Sequence, residues 1–227
     1  MEKLNPFKLL FNRFYHFFFI ERFFKSLEFN FPKNIYRWDL IQYIIDKYNY
    51  STYLEIGCDK DQSFAKIRIN KKIGVDPISG GTIRDTSNNF FNHNKEKFDI
   101  IFIDGLHQYE QVIKDIKNSL NCLTKNGLIL LHDCLPRTIW NQVYPRINSD
   151  WNGDVWKAIV ECRTYENIDT YTCIADRGIG VIVPRKNMNK LILNKNDFKG
   201  LKFKDYYQNH EQFMNLISHL DIFKTIE

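Results

Sequence analysis

The chain has 227 residues, 44% of them apolar and 26% charged, which suits one sizeable soluble core and is short for two ordinary domains. A net charge of +5 with no arginine-rich stripe lacks the footprint of a nucleic-acid binder. Five irregularly spaced cysteines without a C-x-x-C pair argue against a disulfide framework and a zinc knuckle, and point to a reducing, cytoplasmic setting.

Asn5-Pro6 reads as a helix start, with Asn5 as cap and Pro6 at the first helical position. Phe7, Leu10, Phe11, Phe14, Phe17 and Phe18 then recur at helical spacing. The uninterrupted apolar run, Phe17 to Ile20, falls far short of the about 20 residues that cross a bilayer, and Asn12, Arg13 and His16 break up any signal-peptide core. Two uses stay open. The helix packs on its own domain or on a second subunit of a homodimer, or it lies on a membrane surface helped by Arg13, Arg22 and Lys25. Glu21 and Glu28 dilute the basic face and favour the first.

Pro32 closes the aromatic segment, and Ile35, Trp38, Ile41, Ile45 and Tyr48 mark the next helix. From Thr52 the period changes. "TYLEIG", "KKIGVDP", "FDIIFID" and "GLILLHD" read as four strands, and "TYTCIA" and "GIGVIVP" as a closing pair across Asp176-Arg177-Gly178. Val112, Ile113, Ile116, Leu120 and Leu123 give one intervening helix its apolar face, and Val155, Ala158, Ile159 and Cys162 give another. Without repeats or a low-complexity linker, this reads as one domain over 35–185, with an aromatic helical extension over 1–34 and a helical extension over 186–227 packed on the domain.

Strands apolar on both faces and alternating with helices imply an α/β fold, a mostly parallel sheet covered on each side. Such sheets bind ligands at the carboxyl ends of their strands. Glu55/Gly57, Asp76, Asp104 and His132/Asp133 all occupy strand ends. The loop after the first strand, Gly57-Cys58-Asp59-Lys60-Asp61-Gln62-Ser63, retains one glycine where a dinucleotide fingerprint wants three, and a helix is expected to follow it. Glu55, Asp59 and Asp61 would repel a diphosphate and suit an ammonium or sulfonium. Asp76, 19 residues beyond Gly57, stands where an acid accepts ribose hydroxyls. A ribose joined to a cationic amino-acid end describes S-adenosylmethionine.

The stretches "YLEIGCDKDQSF", "KIGVDP", "TSNNFF", "FDIIFIDGLHQYEQVIKDI", "NGLILLHDCLP" and "WNGDVWKAI" together resemble a class I S-adenosylmethionine-dependent methyltransferase, most strongly over 52–134. Within that superfamily the chain is similar to small O-methyltransferases found with sugar, glycan or natural-product biosynthesis. The resemblance implies a Rossmann-like three-layer sandwich with a seven-stranded sheet and a reversed terminal hairpin. It implies that Glu55 and Gly57 hold the methionine portion, with Ser63 nearby at the helix start, that Asp76 binds the ribose, and that Ser87 lies by the adenine. Ser87 also reads as the N-cap of its short helix. Asp61 departs from the family, which often has glycine or another small residue there.

An activated sulfonium needs in-line placement and a deprotonated acceptor. His107, three residues past Asp104, has the pKa of a general base for a hydroxyl, and similar catechol-type enzymes carry a basic side chain at that spacing. Its other reading is a cap for the helix starting near Tyr109. The resemblance also implies a divalent ion, usually magnesium, on Asp104 and Asp133, with its third ligand falling on Cys134, a soft donor unsuited to magnesium. Strand alternation sends His132 to the face opposite Asp133. Without a metal, Asp104 or Asp133 would orient His107. Trp151, Trp156, Asp154 and Lys157 are expected on the acceptor side, or else Trp156 is core and Asp154 a cap. The leading expectation is methyl transfer to a hydroxyl of a sugar, glycan precursor or related small metabolite. The alternative is a non-catalytic S-adenosylmethionine-binding scaffold docked through the N-terminal helix, favoured by Cys134 and Asp61. A nicotinamide-dependent oxidoreductase is disfavoured by the missing glycines.

Overall fold

The computed structural model describes residues 5–194 and 197–226. All six expected strands form: β1 (Thr52–Ile56), β2 (Lys71–Val75), β3 (Phe98–Ile103), β4 (Leu123–Leu131), β5 (Asp169–Cys173) and β6 (Ile179–Val183). A seventh, β7 (Leu216–Ile217), completes one sheet in the order β2-β1-β3-β4-β6-β5-β7. β6 pairs antiparallel with both β4 and β5, while the other neighbours pair parallel, so β6 alone runs against the rest. The helical reading of 186–227 missed β7, two residues being too short for any period to register.

The α-helices are α1 (Pro6–Tyr15), continued by a π-helical turn over His16–Ile20, α2 (Arg37–Tyr48), α3 (Ser87–His93), α4 (Tyr109–Cys122), α5 (Ile139–Gln142), α6 (Val155–Cys162), α7 (Phe203–Met214) and α8 (Ile222–Ile226). β3 shows why they flank both faces of the sheet. Ile101 and Ile103 join a core with Val112, Ile113 and Ile116 of α4, whereas Ile100 and Phe102 join one with Leu40, Ile41, Ile44 and Ile45 of α2. Both sets are buried, so each face of the strand must be covered. α6 is buried at every position, because α7 covers the side that α4 leaves open.

One local expectation fails. No helix follows β1. Asp59 and Asp61 adopt left-handed backbone, φ 44° and 59°, and residues 59–66 form consecutive turns, so Ser63 stands at no helix start. The packing of α1 on its own domain is confined to its edge, where Arg13 lies over Trp140 of α5. Asn5 caps α1 as expected, its side chain accepting from the Phe7 amide at 2.9 Å, but none of the helix's residues is buried.

Candidate active site

β3 and β4 end side by side, Ile103 opposite Leu131, and set Asp104 next to His132 and Asp133. Asp133 has φ +60°, so the chain leaves strand geometry at that residue. This overturns the expectation that His132 faces away. His132 Nδ1 lies 3.1 Å from Asp104 Oδ1 and 3.3 Å from Asp133 Oδ2. His107 joins them from the loop before α4, with Nε2 3.3 Å from Asp104 Oδ1 and Nδ1 3.4 Å from Asp133 Oδ2. Its Nδ1 is buried and makes no hydrogen bond. His107 does not cap α4. The carboxylate of Asp154 does, accepting from the Tyr109 amide at 2.7 Å.

Sequence reasoning missed three further members. Arg37, at the start of α2, reaches Asp176 Oδ2 at 3.2 Å, Asp104 Oδ2 at 3.6 Å and Ser63 Oγ at 2.8 Å. Asp176 in the β5–β6 turn also lies 3.7 Å from His132 Nε2. Arg177 holds Asp133 Oδ1 at 3.1 Å, where Asn152 Nδ2 also donates. With His107 neutral, the carboxylates of Asp104, Asp133 and Asp176 are balanced by the guanidiniums of Arg37 and Arg177 and by an imidazolium at His132.

Burial alone would raise the pKa of Asp104, but His132 and His107 outweigh it and hold the carboxyl well below its ordinary range. Asp133 is lowered against burial by the same two imidazoles and Arg177. Burial would depress both histidines. The hydrogen bond to Asp104 and the charges of Asp133 and Asp104 raise His107 instead, and Asp133 and Asp104 carry His132 well above its ordinary value.

Glu55 is buried beneath this cluster, hydrogen-bonded to the Tyr53 hydroxyl, and burial pushes its carboxyl up to about 8. A carboxyl raised on folding binds more protons than it does unfolded, so its contribution to stability falls as pH rises from about 4.5 to about 8. Glu55→Gln is therefore expected to recover roughly 2–4 kcal/mol of the stability lost between pH 5 and 8. Urea unfolding of both proteins across that range measures it, and parallel curves would refute it.

Asp76 accepts from four backbone amides, Cys58 and Asp59 on one oxygen and Ile78 and Ser79 on the other, at 2.8–3.1 Å. Its four lone-pair sites are thereby filled, and it ties the loop after β1 to the loop after β2. Asp61 has turned to the Gly81 amide at 2.7 Å. Its backbone is left-handed, φ 59°, which an aspartate tolerates with its carboxylate bonded locally. Gly57 has φ +88°, and a Cβ there would overlap the Asp104 carbonyl. Ser87 opens α3, but the N-cap is Thr86, and Ser87 Oγ accepts from Gln111 at 3.2 Å.

Cys134 is core, its thiol turned to the Leu131 and His132 carbonyls and pushed up by burial, so it offers no metal ligand. The group that brings metal-binding atoms within 4.8 Å of one another is Asp104, His107 and Asp133. Trp156 is also core, 0% exposed and packed on Tyr206. Lys157 is buried against the Lys199 carbonyl. Only Trp151 of the expected aromatic pair faces the site, stacked on the His107 ring at 5.3 Å and 15°.

Residues 49–134, which carry Glu55, Asp76, Asp104, His107 and Asp133, match the family profile described as a methyltransferase domain. No curated protein matches the sequence. Among solved structures, a candidate O-methyltransferase from Klebsiella pneumoniae is similar at 12% identity and a TM-score of 0.50, over 82% of this chain and 92% of that one. The cofactor-bound protein Rv0187 from MTB is similar at 10% identity and 0.50, over 82% and 100%. A candidate caffeoyl-CoA O-methyltransferase from Staphylococcus aureus reaches 16% identity and 0.49, over 65% and 82%. At such identities the two structures at 0.50 speak for the fold. Residues 49–134 thus match a methyltransferase domain, and the fold around them is the one shared with the two structures at 0.50.

Proposed function

We propose that the protein transfers the methyl group of S-adenosylmethionine to a hydroxyl of a sugar, glycan precursor or related small metabolite, with His107 as the general base. The observation that carries this is His107 itself, held between Asp104 and Asp133 with one buried nitrogen free of hydrogen bonds and Trp151 stacked flat on the ring. A hydroxyl is a poor nucleophile until its proton leaves, and a base must lie within hydrogen-bond reach of that proton. In this reading Nε2 faces Asp104, Nδ1 takes the acceptor proton, and the flanking carboxylates stabilise the resulting imidazolium. Trp151 and the exposed Tyr144, with ring centroids 6.5 Å apart, supply flat faces suited to a sugar ring.

The methionine end of the donor falls to Glu55, Gly57 and Ser63, and the adenine to the start of α3 at Ser87. Asp76 remains the ribose candidate, provided the Ile78–Ser79 turn gives up its bonds when the nucleoside arrives. The donor set also suits a divalent ion, since two carboxylates and an imidazole are hard to borderline ligands. Asp104 and Asp133 would hold it, and a bound ion would lower the pKa of the acceptor hydroxyl. Turnover indifferent to EDTA would remove the ion from the scheme.

The test is transfer of labelled methyl from S-adenosylmethionine to a panel of sugar and sugar-nucleotide acceptors, followed against pH. Because the carboxylates raise His107, its basic form is populated only at higher pH, so kcat/KM is expected to climb through an apparent pKa above 6.5. Asp133→Asn removes one of the raising charges and should move that limb to lower pH. A flat profile with a good acceptor would sink the role given to His107.

A further inference from the structure

The N-terminal segment exposes nine large apolar side chains between Phe7 and Phe24, with Phe7 84%, Leu10 69% and Phe11 66% exposed. Phe7, Leu10, Phe11, Phe14 and Phe18 follow i, i+3, i+4, i+7 spacing and form one stripe. Monomeric proteins rarely leave so continuous an apolar patch in water. Lys8, Arg13, Arg22 and Lys25 are exposed around it. Residues 5–25 contain a single carboxylate, Glu21, and it is turned inward. Its two oxygens accept from the Phe203 and Lys204 amides at 3.0 and 2.8 Å, capping α7. Over residues 5–25 the stripe is therefore apolar and basic with no acid facing outward; of the two expected diluting residues Glu21 is withdrawn, and Glu28, exposed, lies beyond the basic cluster.

We propose that this surface docks on an anionic lipid bilayer, with α1 lying in the interface. Aromatic side chains flanked by lysine and arginine suit the boundary between headgroups and acyl chains. A second copy of the chain fits less well, because a two-fold contact would bring each basic cluster against its own image. No helix among the described residues is long and apolar enough to cross a membrane, so the contact is peripheral. The surface is also continuous with the acceptor wall. Arg13 stacks 4.7 Å over Trp140 of α5, and Val143, just beyond α5, accepts the indole N–H of Trp151 at 2.8 Å. Docking sets that wall beside the bilayer and suits an acceptor carried on a lipid. This last step rests on the methyl-transfer reading; the docking does not.

The experiment is co-sedimentation of the full chain, without substrates, with vesicles of phosphatidylcholine alone or of phosphatidylcholine mixed with phosphatidylglycerol. Partitioning is expected to be at least about tenfold stronger onto the anionic vesicles and to weaken as salt rises. Phe7→Gln/Leu10→Gln/Phe11→Gln, three changes at exposed positions, should abolish it and leave the thermal midpoint unchanged. The proposal is overturned if the chain ignores anionic vesicles, or if the triple variant binds them equally well. It is overturned equally by a concentration-dependent dimer, lost in the variant, in a chain that binds no vesicles. Methyl transfer is assayed separately, so failure here leaves that reading intact.

Discussion

His107→Gln is expected to lower kcat by about 10²–10⁴-fold and to leave affinity for S-adenosylmethionine nearly unchanged. Glutamine can still donate to Asp104, so the carboxylate keeps a partner, but it has no nitrogen able to accept a proton at neutral pH. Glu55, Gly57 and Ser63, proposed above to hold the methionine end, make no hydrogen bond or ion pair with His107, which is why binding and turnover should separate. The climbing limb of the pH profile should vanish along with the rate. His132 cannot take over. Asp133 and Asp104 hold it well above its ordinary value, and a group that stays protonated is an acid rather than a base. Initial rates at saturating acceptor and calorimetric titration with cofactor measure the two halves. Unchanged turnover, or a limb that persists in the variant, would return the role to another residue.

The parts of this molecule legible from sequence are those written in short-range periodicity. β3 reads as a strand because Ile100 to Ile103 are apolar on both faces, and the same run identifies Asp104 and His107 as rim residues. What escaped depends on contacts between distant segments or on one backbone angle. Arg37 meets Asp176 across 139 positions, and nothing in the stripe of α2 announces it. Glu21 looked like part of a solvent face because its partners lie 182 and 183 residues away. Strand alternation puts His132 on the wrong side because it extends one residue too far, into the left-handed backbone of Asp133. Trp156 reads equally as acceptor surface or as core from the sequence, because α7, which buries it and decides for core, lies more than 40 residues downstream. Cys134 and Asp61, the residues that seemed at odds with catalysis, occupy positions explained by packing and by loop geometry.

Gly153→Ala is expected to be the most damaging change outside the ionisable cluster. Gly153 has φ +62°, and a Cβ there would overlap the carbonyl oxygen and Cβ of His107. The two segments touch because the Asp154 amide donates to that same carbonyl at 3.2 Å while the Asp154 carboxylate caps α4. Left-handed backbone at a residue with a Cβ costs roughly 1–2 kcal/mol, and relieving the overlap adds to it, for a total loss of about 2–4 kcal/mol. The relief has one soft direction. Gly153 is held by the Asn141 carbonyl at 3.1 Å and leads into the fully buried α6, whereas His107 sits in the short loop before α4. His107 should therefore give way, carrying its ring off the line between Asp104 and Asp133 and unstacking it from Trp151. A displacement of about 1 Å in a positioned group costs around 10²-fold in rate. Chemical denaturation reports the stability loss, and kcat measured well below the unfolding transition reports the displacement. A variant that loses stability but keeps its kcat would show that the brace serves the fold and not the base.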